Sequence, residues 1–258
     1  MLSFANKPSL IAYITCGDPD LATSRDVALA CIDAAVSVIE LGVPFSDPVA
    51  DGPVIQRATE RALRHGTSLK EVFEIASDIR KRSQVGLIIF SYLNPILKLG
   101  FKTFAEICKE AEVDGALITD LPGEEAQEYL KQMRSRQLST IFLAAPSSTD
   151  QRLKGIVKAS TGFVYAVSRT GVTGARQQMP EDAKNLVARI REISDLPVAV
   201  GFGISTPEQV AAVSSFADAA VVGSAIVQTI EQNPGKEAAS VAKFIEQLSA
   251  VRRQHSAI

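Results

Sequence analysis

The stretch Glu40-Leu41-Gly42-Val43-Pro44-Phe45-Ser46-Asp47-Pro48-Val49-Ala50-Asp51-Gly52-Pro53 sets acidic side chains in a segment stiffened by proline and glycine. Glu40 follows Val38 and Ile39 in an otherwise apolar run. A carboxyl group in such surroundings loses solvent, which disfavours its charged form, raises its pKa and suits it to proton transfer near neutral pH. The same pattern fits a carboxylate paired with a nearby Lys or Arg, and local features do not separate the two. Two glycine turns carry a different chemistry. Gly201-Phe202-Gly203 and Gly223-Ser224 each close an apolar run, and a helical stretch follows. Backbone N–H groups placed there can bind an anion such as phosphate without any net positive charge. Each glycine taken alone is equally an ordinary turn residue.

These groups need elements to hold them. Eight short apolar runs alternate with segments of helical period: Leu10–Cys16, Val36–Val43, Val85–Tyr92, Gly115–Asp120, Thr140–Ala145, Phe163–Ser168, Val198–Gly203 and Ala219–Gly223. Several are almost continuously apolar, as parallel strands covered on both faces must be. In Ser68–Arg82 the residues Leu69, Val72, Phe73, Ile75, Ala76 and Ile79 fall on one helical stripe. Ser68 and Glu71 there read as a capping box. Thr206-Pro207, with Gln209, reads as another helix start. Glu124–Gln137, Asp182–Ile193 and Glu237–Arg253 also carry helical period. Eight strand–helix units predict an α/β fold of one domain over residues 1–258, a (β/α)8 TIM barrel, in line with the roughly 250 residues typical of that fold. An open doubly wound sheet is the alternative, since it needs only a reversal of strand order. On a barrel, chemistry sits at the C-terminal strand ends, where the acids and glycine turns fall. The interval Arg169–Pro180, rich in Gly, Thr and Gln and lacking a helical stripe, becomes a loop on that face.

Composition excludes several classes. A formal net charge of −2 offers no broad basic surface for nucleic acid, and the absence of Trp argues against base-stacking platforms. Cys16, Cys31 and Cys108 are too scattered for a disulfide framework or a CxxC metal site and read as buried thiols. With only His65 and His255, a multi-histidine metal centre is not expected, and His65 reads as a surface residue. No apolar run approaches the ~18 residues of a membrane span. The first strand begins near Ser9 or Leu10, which leaves no room for a targeting peptide, so a cytoplasmic location is expected.

The segment LGVPFSDPVADGPVIQ resembles the signature of tryptophan synthase α subunits. YITCGDPD, YLNPI, ITDLP, SRTGVTGA, GFGIS and GSAIV agree with it in order and spacing, so the likeness spans essentially the whole chain. The resemblance implies retro-aldol cleavage of indole-3-glycerol phosphate to indole and D-glyceraldehyde 3-phosphate. It implies Glu40 as the acid/base carboxylate and Asp51 as the carboxylate that binds the indole N–H. Tyr165 is implied as a tyrosine positioning the glycerol moiety. Gly174, Gly203 and Ser224 are implied for phosphate binding, and Tyr13, Phe90, Leu117 and Phe202 are candidates for an apolar indole pocket. Arg169 and Thr173 fall in an implied lid, with Thr173 reaching toward Asp51. Thr15, Tyr92 and Asn94 are expected close to the site or to a partner surface. The resemblance further implies an α2β2 heterotetramer in which Asp47, Pro48 and Asn94 face the β subunit. No cofactor or metal is expected in this chain; pyridoxal phosphate belongs to the β partner.

Two departures stand out. Tyr13 occupies a position where the family often has phenylalanine, and a buried hydroxyl needs a hydrogen-bond partner. Less than a full helix precedes the first strand, which leaves open how the barrel bottom is closed. Two other functions remain in view: a phosphate-binding barrel enzyme such as a sugar-phosphate isomerase, and an α-like subunit that binds its partner without useful catalysis.

Overall fold

A computed structural model describes residues 2, 4, 9–167, 181–201 and 203–250. In chain order the elements are β1 (Ser9–Thr15), α1 (Leu21–Asp33), β2 (Val38–Gly42), α2 (Pro53–Arg64), α3 (Leu69–Arg80), β3 (Gly86–Ser91), α4 (Leu93–Leu99) and α5 (Phe101–Glu110). They continue with β4 (Gly115–Ile118), α6 (Gln127–Ser135), β5 (Ser139–Ala144), α7 (Asp150–Ala159), β6 (Val164–Val167) and α8 (Glu181–Arg191). β7 (Val198–Gly201), α9 (Pro207–Ser214), β8 (Ala219–Val222), α10 (Ser224–Gln232) and α11 (Glu237–Ser249) complete them. The strands are parallel, and they pair in sequence order until β8 meets β1. The expected barrel is therefore present, and the open sheet is excluded.

Alternation along each strand divides the core in two. Leu10, Ala12 and Ile14 point outward to the helices and join the large outer cluster. Ile11 points inward, where Val38, Ile88, Leu117, Ile141, Phe163, Ala199 and Val221 fill the barrel. Burying a Leu, Ile or Val side chain contributes roughly 1.5–3 kcal/mol, so filling the interior supplies much of the force that closes the sheet. The floor is closed by two residues from the start of the chain. Leu2 packs in the inner cluster, and the Phe4 ring lies edge-on to Phe163 at 5.6 Å.

The Ser68–Glu71 capping box is present, with the Glu71 carboxylate accepting from the Ser68 backbone N–H at 2.8 Å. A second box joins Thr206 and Gln209 at α9. α6 starts later than its periodicity suggested, because Glu125 N–H donates to Pro122 O in a turn that precedes the helix. α4 holds Pro95 within its first turn, where a missing N–H costs nothing. All three cysteines are buried and His65 is exposed. Among the described residues, no helix is long and apolar enough to cross a membrane.

Candidate active site

Glu40 sits on the inward face of β2, in register with Tyr13 of β1 and Ile88 of β3. Its side chain is fully buried, and neither carboxyl oxygen has a hydrogen-bond partner among the described residues. The ion-paired alternative thus finds no partner there. Burial pushes its pKa from 4.5 up to about 8, so the group is a neutral acid at pH 7. An unpartnered acid inside a barrel weakens the fold, and such a cost commonly marks a functional site.

Asp51 is held by the loop that follows β2. Asp51 N–H donates to Pro48 O at 3.0 Å, and the Gln56 side chain donates to Asp51 O at 2.9 Å. The Tyr92 hydroxyl, from the end of β3, donates to the Asp51 carboxylate at 3.0 Å and accepts from Ala50 N–H at 3.0 Å. Phe45 braces the Tyr92 ring at 5.2 Å. Burial lifts the Asp51 pKa to about 6, and the Tyr92 hydrogen bond opposes the rise. Asp51 therefore remains largely ionised at neutral pH while Glu40 remains protonated. Two carboxyl groups with separated pKa values are what distinct acid and anion roles require.

Glycines make room for two tyrosines. A Cβ at Gly42 would collide with the Tyr13 ring, and one at Gly201 would collide with the Tyr165 ring. Burial raises the Tyr165 hydroxyl pKa, with the charges of Glu40, Tyr13 and Asp51 adding to the shift. Tyr165 therefore senses both carboxyl groups. The Tyr13 hydroxyl accepts a long 3.5 Å hydrogen bond from Thr15, and its ring meets Phe90 edge-on at 5.1 Å. Leu117 is fully buried beneath, paired in register with Phe90. Together these residues pack in and above the barrel interior.

At the opposite rim, Gly203 has φ +46, and a Cβ there would meet open space. The start of α9 is already satisfied, since the Gln209 side chain accepts from Ser205 and Thr206 N–H at 2.8 and 3.2 Å. By contrast, no side chain among the described residues caps the start of α10 at Gly223, where Ser224 is exposed. That leaves a helix N-terminus free to meet an anion.

Asp47, Pro48 and Asn94 lie outside the barrel interior, on the rim. Asp47 accepts from the Ser46 hydroxyl at 2.7 Å, Asn94 is exposed in α4, and the intervening Val49 is 86% exposed. An apolar groove beside them runs between α3 and the α4–α5 pair, lined by Val43, Phe45, Leu69, Phe73 and Leu97. It does not open over Glu40. Gly174, Phe202, Arg169 and Thr173, with the loop Arg169–Pro180, lie outside the described residues. The specific link from Tyr92 to Asp51 was not foreseen. Its only sequence signal is a tyrosine ending an apolar run, 41 residues from its partner.

The family described as tryptophan synthase alpha chain matches residues 2–256. The tryptophan synthase alpha chain of Solibacter usitatus is 50% identical over 228 residues, covering 88% of this chain and 85% of that one. Its counterpart from Geobacter sulfurreducens is 44% identical over 248 residues, covering 96% and 94%. Among solved structures, a chain of the tryptophan synthase α2β2 complex from Pyrococcus furiosus superposes with a TM-score of 0.90 at 41% identity, covering 94% of this chain and 98% of that one. A chain of Mycobacterium tuberculosis tryptophan synthase gives 0.89 at 38% identity, covering 96% and 93%.

Proposed function

Because the chain belongs to the tryptophan synthase alpha chain family, we propose that it cleaves indole-3-glycerol phosphate to indole and D-glyceraldehyde 3-phosphate and passes the indole to a β subunit. The observation that carries the reading is Glu40: a buried, unpartnered carboxyl group whose pKa is raised to about 8, sharing the barrel mouth with an ionised Asp51.

The bond between the indole ring and the glycerol chain breaks only if its electron pair can return to the ring. Protonated Glu40 donates its proton to indole C3, and the ring becomes a cation with an acidic N–H. Asp51 accepts that N–H and stabilises the positive charge as it develops. Glu40, now a carboxylate in a dry pocket, takes the proton of the adjacent hydroxyl. The hydroxyl carbon becomes the aldehyde carbonyl, the C–C bond breaks, its electrons restore the indole, and Glu40 is again the acid. Tyr165 orients the glycerol chain beside Glu40. The proton taken at C3 is matched by the proton lost from the hydroxyl, and the gain of oxidation at the aldehyde carbon is matched by the loss at indole C3, so the step needs no external oxidant and the proposal assigns no cofactor to this chain.

Tyr13, Phe90 and Leu117 are the proposed walls of the indole pocket, and Gly203 with Ser224 the proposed phosphate turn. Gly174, Phe202, Arg169 and Thr173 enter the proposal through the family resemblance alone. The rim of Asp47, Pro48, Val49 and Asn94 is the proposed face for a β subunit that holds pyridoxal phosphate, in an α2β2 assembly; the apolar groove beside it supports an interface there. Incubating the pure chain with indole-3-glycerol phosphate should release indole and triose phosphate in equal amounts, faster with the β subunit present. Release of neither product in either condition would remove the reading.

A further inference from the structure

Behind the proposed indole pocket lies a set of ionic contacts that touches none of the reacting groups. Arg61 of α2 donates through Nε and Nη2 to both oxygens of Asp18, at 2.6 and 3.0 Å. The Asp18 side chain is 1% exposed, in the turn after β1. Arg61 Nη1 reaches Glu231 of α10 at 2.7 Å. Arg57, one helical turn earlier on α2, holds both oxygens of the same Glu231 at 2.8 and 2.7 Å. These arginines keep the Glu231 carboxyl down at about 2, well below the usual carboxylate range. Paired forks of this kind fix orientation as well as distance, which isolated surface pairs do not.

What the contacts join gives them meaning. α2 begins two residues after Asp51, and α10 begins at Gly223-Ser224. Between the helices, Ala58 and Val227 are fully buried against Tyr13, with Val54, Ile55 and Phe90 beside them. One helix therefore carries the proposed indole anchor at its start, and the other carries the proposed phosphate turn at its start. The wall of the pocket is their shared apolar seam.

We propose that Arg57, Arg61, Glu231 and Asp18 form a clamp that sets the spacing between the indole end and the phosphate end of the substrate site. They are positioning residues, and the proposal rests on the reading of the site given above. A ligand bound at both ends gains from that spacing; a ligand bound at one end does not. Displacements near 1 Å at a reacting centre can cost about 100-fold in rate, so a loosened clamp should be visible in turnover.

The test compares the full chain with Glu231→Gln and Arg57→Ala, whose side chains are partly exposed. Arg61→Ala would strand a buried Asp18 and is avoided. Calorimetry measures glycerol phosphate, and separately an uncleavable compound in which an alkyl chain joins indole to phosphate; indole release gives kcat and KM. Both variants should hold glycerol phosphate within about 2-fold of the parent while losing roughly 10-fold for the joined compound and in kcat/KM. Arg57→Lys, which keeps the charge, should recover part of that loss. Equal losses for both ligands would mean general weakening, and no loss for either would mean the clamp does not set the site; each result overturns the proposal. If the parent chain binds the joined compound and releases indole, such failures fall on the clamp alone. If the parent does neither, the functional reading fails and the clamp with it.

Discussion

At Glu40, stability and catalysis are expected to respond to pH in linked ways. The unfolded chain gives up this proton near 4.5, whereas the folded chain keeps it to about 8. Glu40 therefore favours folding most below pH 4.5, and this contribution declines as pH rises toward 8. Glu40→Gln cannot ionise, so its melting temperature should match the parent near pH 5 and exceed it at pH 8. At about 1.4 kcal/mol per pH unit, the gain is on the order of a few kcal/mol; equal melting at pH 8 would contradict the buried-acid description. The proposed cleavage requires Asp51 ionised and Glu40 protonated. kcat/KM should fall below about pH 6 and above about pH 8, giving a bell. A rate that keeps rising beyond pH 8 would mean Glu40 starts as a base. The inward placement of Glu40 was legible in the sequence, because it lies two residues from Val38 in a short apolar strand and so shares that residue's inner face. Tyr92 was expected close to the site, but its link to Asp51 was not legible, because it depends on how β3 pairs beside β2 and sets its end against the following loop.

Among elements, what is encoded locally was readable. The Ser68–Glu71 box and the Thr206–Pro207 helix start each depend on residues within one turn, and both are present. The start of α6 was misjudged, since a turn stabilised at Pro122 competes with helix over a stretch whose composition suits either. The helices after β2 and β8 show what sequence period does not reveal: they pack against each other over Tyr13 of β1. At the proposed phosphate turn, Gly203→Leu places a side chain in open space, and the left-handed backbone adds roughly 1–2 kcal/mol of strain. Glycerol phosphate binding should weaken at least ~10-fold, more than that strain alone predicts for folding. Ser224→Ala should change little, because the backbone N–H remains. Unchanged calorimetric affinity in Gly203→Leu would move the anion site elsewhere.

For the whole molecule, alternation of strand and helix specified a barrel because eight parallel units with two apolar faces close most simply on themselves, and the strands do pair in order. The packing of Leu2 and Phe4 at the floor was not legible, because no periodic signal marks the residues before β1. The same architecture separates the working mouth from the rim that faces outward, so loss of the partner contact should leave the fold intact. Asp47→Ala should lower the stimulation of indole release by the β subunit, with melting within about 1 °C of the parent, since an exposed side chain contributes little to folding. Full stimulation of that variant would take Asp47 out of the interface. The central claim, that a buried Glu40 acid cleaves an indole–glycerol bond, is tested most directly by single-turnover indole release at pH 7 from the parent chain and from Glu40→Gln, each saturated with indole-3-glycerol phosphate. The parent should release indole, and the folded, ligand-binding variant should be slower by at least ~100-fold. Comparable release from the two would contradict the account.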